Sequence, residues 1–338
     1  MTARLTTILV YGLPLLAGAV ILFGAYVRLS DAGLGCPDWP GCYGRITVPE
    51  TLSAHPLDQK MAQQRPLEIG KAWREMIHRY LASTLGADIV LLAILTWRNT
   101  SRNPRGNALA CYLLVPLVIF QGLLGMWTVT LLLKPLVVTA HLFGGIATIA
   151  LLWWNLLAYH GVSPAGRTSN EHIQPMLWFA LAVLLLQVFL GGWTSTNYAA
   201  LACTDFPTCQ GRWWPSADFG EAFVLWRGLG VNYEFGVLET PARTAIHLAH
   251  RIGAAITAMT LLALVYKLLG ESEKSVRRGG WCILALLVSQ VSLGITNVAA
   301  GLPLAVAVSH NGVAVSLVLA LITVLYLIRA PHRPAGTA

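Results

Sequence analysis

Eight runs of about twenty predominantly apolar residues organise the chain, near 9–29, 76–97, 107–131, 136–158, 175–195, 243–268, 281–301 and 303–328. About twenty residues, each rising 1.5 Å, cross a hydrocarbon core of ~30 Å. The core of a bilayer offers backbone amides no water, so segments this apolar must be helices. Composition agrees, since 56% of the 338 residues are hydrophobic and only 11% are charged, against roughly a quarter charged in a soluble domain. Disorder, collagen and a small disulfide scaffold are excluded on the same grounds. The chain reads as an all-α membrane protein with eight transmembrane helices. The first run follows Arg4 as a signal peptide would, but it exceeds the roughly 7–15 apolar residues of a cleaved signal. Arg28 and Asp31 follow without a clear cleavage site, so the run reads as a retained helix.

Alternating the runs puts the N-terminus, 98–106, 159–174, 269–280 and the C-terminal tail on one side. With Lys267, that side holds Arg4, Arg98, Arg102, Arg105, Arg167, Lys274, Arg277, Arg278, Arg329 and Arg333 against Glu171, Glu271 and Glu273. It therefore carries the whole net charge of +8, and elsewhere 12 basic residues face 12 acids. Basic short loops mark the cytoplasmic face. Both termini are expected inside, with the loops 30–75 and 196–242 outside. The positive charge is thus a property of membrane orientation and implies no nucleic-acid partner.

The two long loops expose an internal repeat. Cys36-Pro37-Asp38-Trp39-Pro40-Gly41-Cys42-Tyr43-Gly44-Arg45 returns as Cys203-Thr204-Asp205-Phe206-Pro207-Thr208-Cys209-Gln210-Gly211-Arg212, 167 residues later. Gln121 to Gly125 returns as Gln290 to Gly294 and His141 as His310, both offset by 169, and His78-Arg79 returns as His250-Arg251 at 172. Near-constant offsets across unlike motifs predict two repeat-related four-helix bundles. The expected halves are 1–160 and 175–330, joined by a cytoplasmic linker at 161–174 and followed by a tail at 331–338.

As metal ligands, Cys36 with Cys42 and Cys203 with Cys209 would each make half a zinc or iron–sulfur site, and neither loop supplies a close second pair. On an outer, oxidising face they read as two disulfides. Cys111 and Cys282 do not match in the repeat and read as apolar fillers. Of nine histidines, His55, His160, His172 and His332 fall in loops or the tail. His78, His141, His250 and His310 lie inside the even-numbered runs, near the outer ends of parallel helices. Ionisable residues in a membrane are costly and usually functional.

Four histidines in repeat-related pairs point to axial ligation of heme iron, one imidazole coming from each of two facing helices. Zinc or di-iron would need further carboxylate or cysteine ligands, and the acidic candidates in the runs are only Glu75 and Asp88. Gly144, Gly145, Gly253 and Gly312 would let a flat macrocycle approach the backbone, or serve helix packing. Arg79 and Arg251 suit heme propionates and interfacial snorkelling equally. Glu75, three residues before His78, has His247 as its counterpart before His250. That asymmetry suggests two different tasks, unless Glu75 merely caps a helix N-terminus.

These motifs resemble the heme A synthase family, membrane enzymes that oxidise a methyl group of heme O to the formyl group of heme A. The resemblance rests on Arg28-Leu29-Ser30 through Cys36-Pro37-Asp38-Trp39-Pro40, on Glu75-Met76-Ile77-His78-Arg79, on His141, on His247-Leu248-Ala249-His250-Arg251 and on His310, and it covers nearly all eight helices. The resemblance is to the bacterial form, with a cysteine pair in each long outer loop, and it implies a place in the bacterial cytoplasmic membrane. It implies that His78 and His141, with Arg79, border the substrate heme O, and that His250 and His310, with Arg251, hold a heme b cofactor. It also implies that Glu75 is needed for activity.

A bis-heme electron carrier of the quinol-linked cytochrome b kind would use the same four histidines, but Glu75 on one side only counts against it. A heme O-forming prenyltransferase would show aspartate-rich magnesium motifs, whereas the six aspartates here do not cluster. Transporter repeats are often inverted, whereas two sets of four helices share one orientation. Besides heme O and membrane lipid, the sequence leaves open a heme O synthase as partner, the electron donor and homo-oligomerisation.

Overall fold

The computed structural model describes residues 2–99, 108–161 and 173–329. Arg102, Arg105, Arg167, Glu171, Arg333, His172 and His332, most of the 161–174 linker and the tail lie outside them. The described elements are α1 (Thr2–Leu29), α2 (Pro56–Gln64), α3 (Ile69–Asn99), α4 (Ala108–Thr130), α5 (Pro135–Tyr159), α6 (Ile173–Thr196), α7 (Phe219–Ala222), α8 (Thr240–Leu269), α9 (Lys274–Ala299) and α10 (Leu304–Ile328). Among them, eight are long and apolar enough to span a membrane. The protein is all-helical and multi-pass.

Helices α3 and α9 start about two turns before the apolar runs at 76 and 281. The added turns contain Lys71, Arg74 and Glu75 in α3, and Lys274, Arg277 and Arg278 in α9. Hydropathy stops at such residues, but intrahelical hydrogen bonding does not. Pro135 begins α5, where its missing N–H costs nothing. Pro14 and Pro116 sit inside α1 and α4, as membrane helices allow. The short helices were not apparent from hydropathy. The His55 ring accepts from the Leu57 amide at the start of α2, and the Asp58 carboxylate ties Ser53 to Arg45.

The long helices pack as two closed rings of four: α1, α3, α4 and α5, then α6, α8, α9 and α10. The seam between rings is made by α1 with α10, α5 with α10, and α5 with α6. One apolar core draws on all eight, from Leu13 and Ile89 to Leu264 and Leu321. Outward faces are equally apolar, with Leu15 at 77% exposure. Water would penalise that surface, whereas lipid matches it. Trp97, Tyr266 and Trp281 stand exposed at the ends opposite the long loops, as an interfacial belt does.

On the other side the connecting segments interlock across the seam. Arg65 meets the Glu234 carboxylate through two bonds of 2.6 Å, the bidentate geometry that suits a guanidinium. Lys134 is buried, donates to the Gly228 carbonyl and lies 3.4 Å from the centre of the Trp226 ring. Arg28 donates to the Ser195 carbonyl at 2.5 Å and sits over the Tyr198 ring. The aromatic segment 213–235 is divided in its role. Tyr233 is buried and its amide donates to the Leu132 carbonyl, whereas Trp213, Trp214 and Phe235 are exposed.

Gly35 marks the closest approach of the first long loop to α3. A Cβ there would lie 2.6 Å from the Lys71 backbone carbonyl and 2.7 Å from the Ala72 nitrogen. Gly35→Ala is expected to destabilise by about 1–3 kcal/mol, as overpacking against backbone does. Gly12→Ala, which meets open space, should stay within about 0.5 kcal/mol of wild type. Thermal unfolding of the purified variants checks both.

Candidate functional site

Two disulfides, Cys36–Cys42 and Cys203–Cys209, close the repeated loops. Their internal residues explain the shared motif. The Asp38 carboxylate accepts from the Tyr43 and Gly44 amides at 2.7 and 2.8 Å, and the Asp205 carboxylate accepts from Gln210 and Gly211 at 2.6 and 3.0 Å. Gly44 and Gly211 both adopt φ of +71°, a left-handed geometry that glycine enters without cost. The Thr208 hydroxyl, then the Gly211 and Gln210 amides, hold the Asp205 carboxyl below the usual carboxylate range.

Each loop is clamped to a histidine-bearing helix by an arginine. Arg79, on α3, donates to the carbonyls of Asp38, Pro40 and Gly41 at 3.0, 3.2 and 2.5 Å. Arg251, on α8, donates to Thr208, Cys203 and Asp205 carbonyls at 2.7, 3.2 and 2.8 Å. Neither guanidinium snorkels away from its helix. Both are directed at loop backbone.

Beneath each clamp, the first cysteine's amide donates to the residue three before the histidine. Cys36 N–H meets Glu75 Oε2 at 2.9 Å, and Cys203 N–H meets His247 Nδ1 at 3.2 Å. Glu75 also pairs with Arg79, and His247 lies 3.3 Å from the Arg251 Nε. The helix-cap alternative for Glu75 is thereby corrected. Because α3 begins at Ile69, Glu75 sits in its second turn, and its carboxylate serves the loop and Arg79.

His78, His141, His250 and His310 sit on α3, α5, α8 and α10. Each imidazole lies against a glycine of the preceding long helix. A Cβ on Gly24, Gly125, Gly191 or Gly294 would come within 2.8, 3.5, 3.3 or 3.2 Å of Cε1 of His78, His141, His250 or His310. His141 lies near enough to His78, and His250 to His310, for the rings to interact electrostatically. The glycines flagged by sequence have packing contacts, the second of their two readings. A Cβ on Gly144 or Gly253 would run into the amide of Gln121 or Gln187, and one on Gly312 into Leu22 at 2.8 Å. These glycines therefore make room for packing and for glutamine side chains.

The donor set fits heme iron. Nδ1 of His78, His141 and His310 is buried without a hydrogen-bond partner. Leaving such an atom unpaired typically costs about 1–3 kcal/mol. Imidazoles brought close in pairs, one from each of two helices, are ligands that heme iron takes. Among the described residues no group of three or more His, Cys, Asp or Glu is gathered, as a zinc or di-iron centre would need.

Sequence reasoning missed Gln187, whose amide reaches His250. The signal was present, because Gln-x-x-x-Gly occurs at Gln121–Gly125, Gln187–Gly191 and Gln290–Gly294.

Comparison with known proteins matches residues 7–322 to the family model COX15-CtaA, described as cytochrome oxidase assembly protein. A protein of Shewanella oneidensis named heme A synthase is 47% identical over 323 residues, 94% of each chain. Proteins of the same name from Caulobacter vibrioides and Halalkalibacterium halodurans are 29% and 27% identical, covering 89% and 86% of this chain and 90% and 86% of their own.

Two outcomes are expected from this geometry. Cys36 and Cys42 should resist alkylation in membranes prepared without reductant, and ready labelling would defeat the disulfide. Arg79→Met should free loop 36–45 and leave buried Glu75 without its cation, costing about 3–5 kcal/mol. Hydrogen exchange should rise at 36–45 while 203–212 stays protected.

Proposed function

The chain belongs to the family of cytochrome oxidase assembly proteins, and on that premise we propose that its activity is that of a heme A synthase: an oxidoreductase that converts heme O to heme A. One exchange between the corresponding positions before His78 and His250 carries the site reading. Where the first disulfide loop presents a backbone amide to Glu75, the second presents it to His247. A carboxylate beside one histidine pair and an imidazole beside the other suit one site that does chemistry and one that does not. Family membership gives no support to the electron-carrier alternative.

In this reading the N-terminal half, 1–160, holds the substrate heme O between His78 and His141. The C-terminal half, 175–330, holds heme b between His250 and His310. His250 and His310 would hold heme b, which would supply electron transfer when bound. Both termini lie on the cytoplasmic face of a bacterial cytoplasmic membrane, supported by the 11 basic residues against 3 acids that sequence places there. The disulfide loops then face the oxidising side.

The chain's own residues divide the work. Glu75 is 4% exposed, so its charge acts through a medium that screens far less than water. Cys36 N–H and Arg79 fix both carboxylate oxygens before substrate arrives, the preorganisation that makes electrostatic stabilisation effective. Two successive two-electron oxidations of the substrate methyl, with an external oxidant accepting the electrons and dioxygen or water supplying the oxygen, would give a gem-diol, and loss of water would leave the formyl group. Glu75 stabilises positive charge developing at that carbon or takes up its proton. Arg79 and Arg251 act on their hemes through the loops they clamp.

Glu75→Gln keeps shape and much of the hydrogen bonding while removing the charge. It should retain the low-spin heme b spectrum yet accumulate heme O or a hydroxylated intermediate, with turnover down roughly 10²–10³-fold by analogy with a lost oxyanion-hole donor. Normal heme A output would sink the catalytic role. His250→Ala or His310→Ala should abolish the low-spin heme b signal. An unchanged spectrum in both would refute the ligand assignment.

A further inference from the structure

His250 differs from the other three paired histidines in what stands behind its ring. In the C-terminal half, the Gln187 amide nitrogen lies 3.0 Å from His250 Nδ1 and 3.0 Å from the His250 carbonyl. The Gln290 amide nitrogen lies 3.2 Å from Nε2 of His310, the nitrogen that would face an iron, and so does not stand behind that ring. Among the described residues of the N-terminal half no glutamine hydrogen bonds to a histidine ring. Gln121 donates to the His141 carbonyl, and Nδ1 of His78, His141 and also His310 is buried without a partner, so His250 alone of the four has a side chain at Nδ1.

One substitution within the repeat accounts for the sharper contrast. Gly191 against His250 corresponds to Gly24 against His78, at the same offset of 167 as the cysteines. One turn earlier stands Gln187 in α6 but Val20 in α1. A valine offers no hydrogen bond.

We propose that Gln187 is a positioning residue that orients the His250 imidazole of the heme b pair, and that Val20 leaves the corresponding His78 ring on the substrate side unrestrained so that its heme can be exchanged. The inference rests on the assignment of heme b to His250 and His310. An imidazole that gives Nε2 to iron carries its proton on Nδ1, and ligating histidines nearly always donate that proton to an acceptor, which fixes the ring and raises its basicity. The Gln187 Oε1 is buried and otherwise without a partner. A turn of the amide that brings this oxygen to Nδ1 while moving it off the His250 carbonyl, itself an acceptor, trades the bond to that carbonyl for one to the ring. Gly253 leaves the space in which the amide turns, since any side chain there would collide with it. A cofactor that must stay gains from a fixed ligand. A substrate that must leave as product does not.

The test uses the purified full-length protein, with apomyoglobin as heme acceptor and redox titration of the low-spin signal. Gln187→Met keeps the volume and removes the acceptor. It should shift the heme b potential upward, because a less basic imidazole stabilises ferric iron less. It should also hasten heme b transfer to apomyoglobin, on the scale of the 10–100-fold loss typical of such partners. Gln187→Glu should shift the potential downward, an opposite sign that a packing role would not produce. Val20→Gln should slow transfer of the N-terminal heme. An unchanged potential and transfer rate in Gln187→Met, with low-spin heme b present, overturns the inference alone. Low-spin heme b persisting in His250→Ala overturns the assignment beneath it.

Discussion

A guanidinium has five N–H donors and no acceptor, and the site is organised around how two of them are satisfied. Arg79 and Arg251 each gather three carbonyls from one short loop. Inside a loop those carbonyls have no ladder to join, and near a membrane they have little water. Meeting them with one fixed cation turns an irregular segment into a rigid lid over the helix that carries the histidine. The disulfide and the Asp38 or Asp205 turn shape the lid, and the arginine holds it down.

The clamp also explains why the residue three before each histidine matters. With the loop fixed, the Cys36 or Cys203 amide points at one place on α3 or α8. Whatever side chain stands there is held in a single orientation. Glutamate and histidine at that place give the matching frames different electrostatics without disturbing either fold. Chemistry is thus varied at one position while architecture stays constant.

Much of this was legible in the chain. The spans were, because a bilayer leaves a twenty-residue apolar segment one conformation. The histidine, cysteine and arginine positions were, because the offsets recur. The early starts of α3 and α9 were not, since charged turns are invisible to hydropathy. The destination of Arg79 was not, because three carbonyls converge only after the loop has folded. The helix-cap alternative for Glu75 followed from placing the helix start seven residues late. Gln187 escaped because its counterpart is Val20, and a search for matching pairs passes over the mismatch.

The arrangement of the two rings has a consequence for charge movement between sites. His141 and His310 are carried by α5 and α10, and these helices pack directly against each other at the seam. His78 and His250 are on α3 and α8, which take no part in it. Each pair therefore has one member toward the centre of the molecule and one toward its flank. If each pair holds a heme as proposed, an electron passing between the halves would cross the packed contact of α5 with α10.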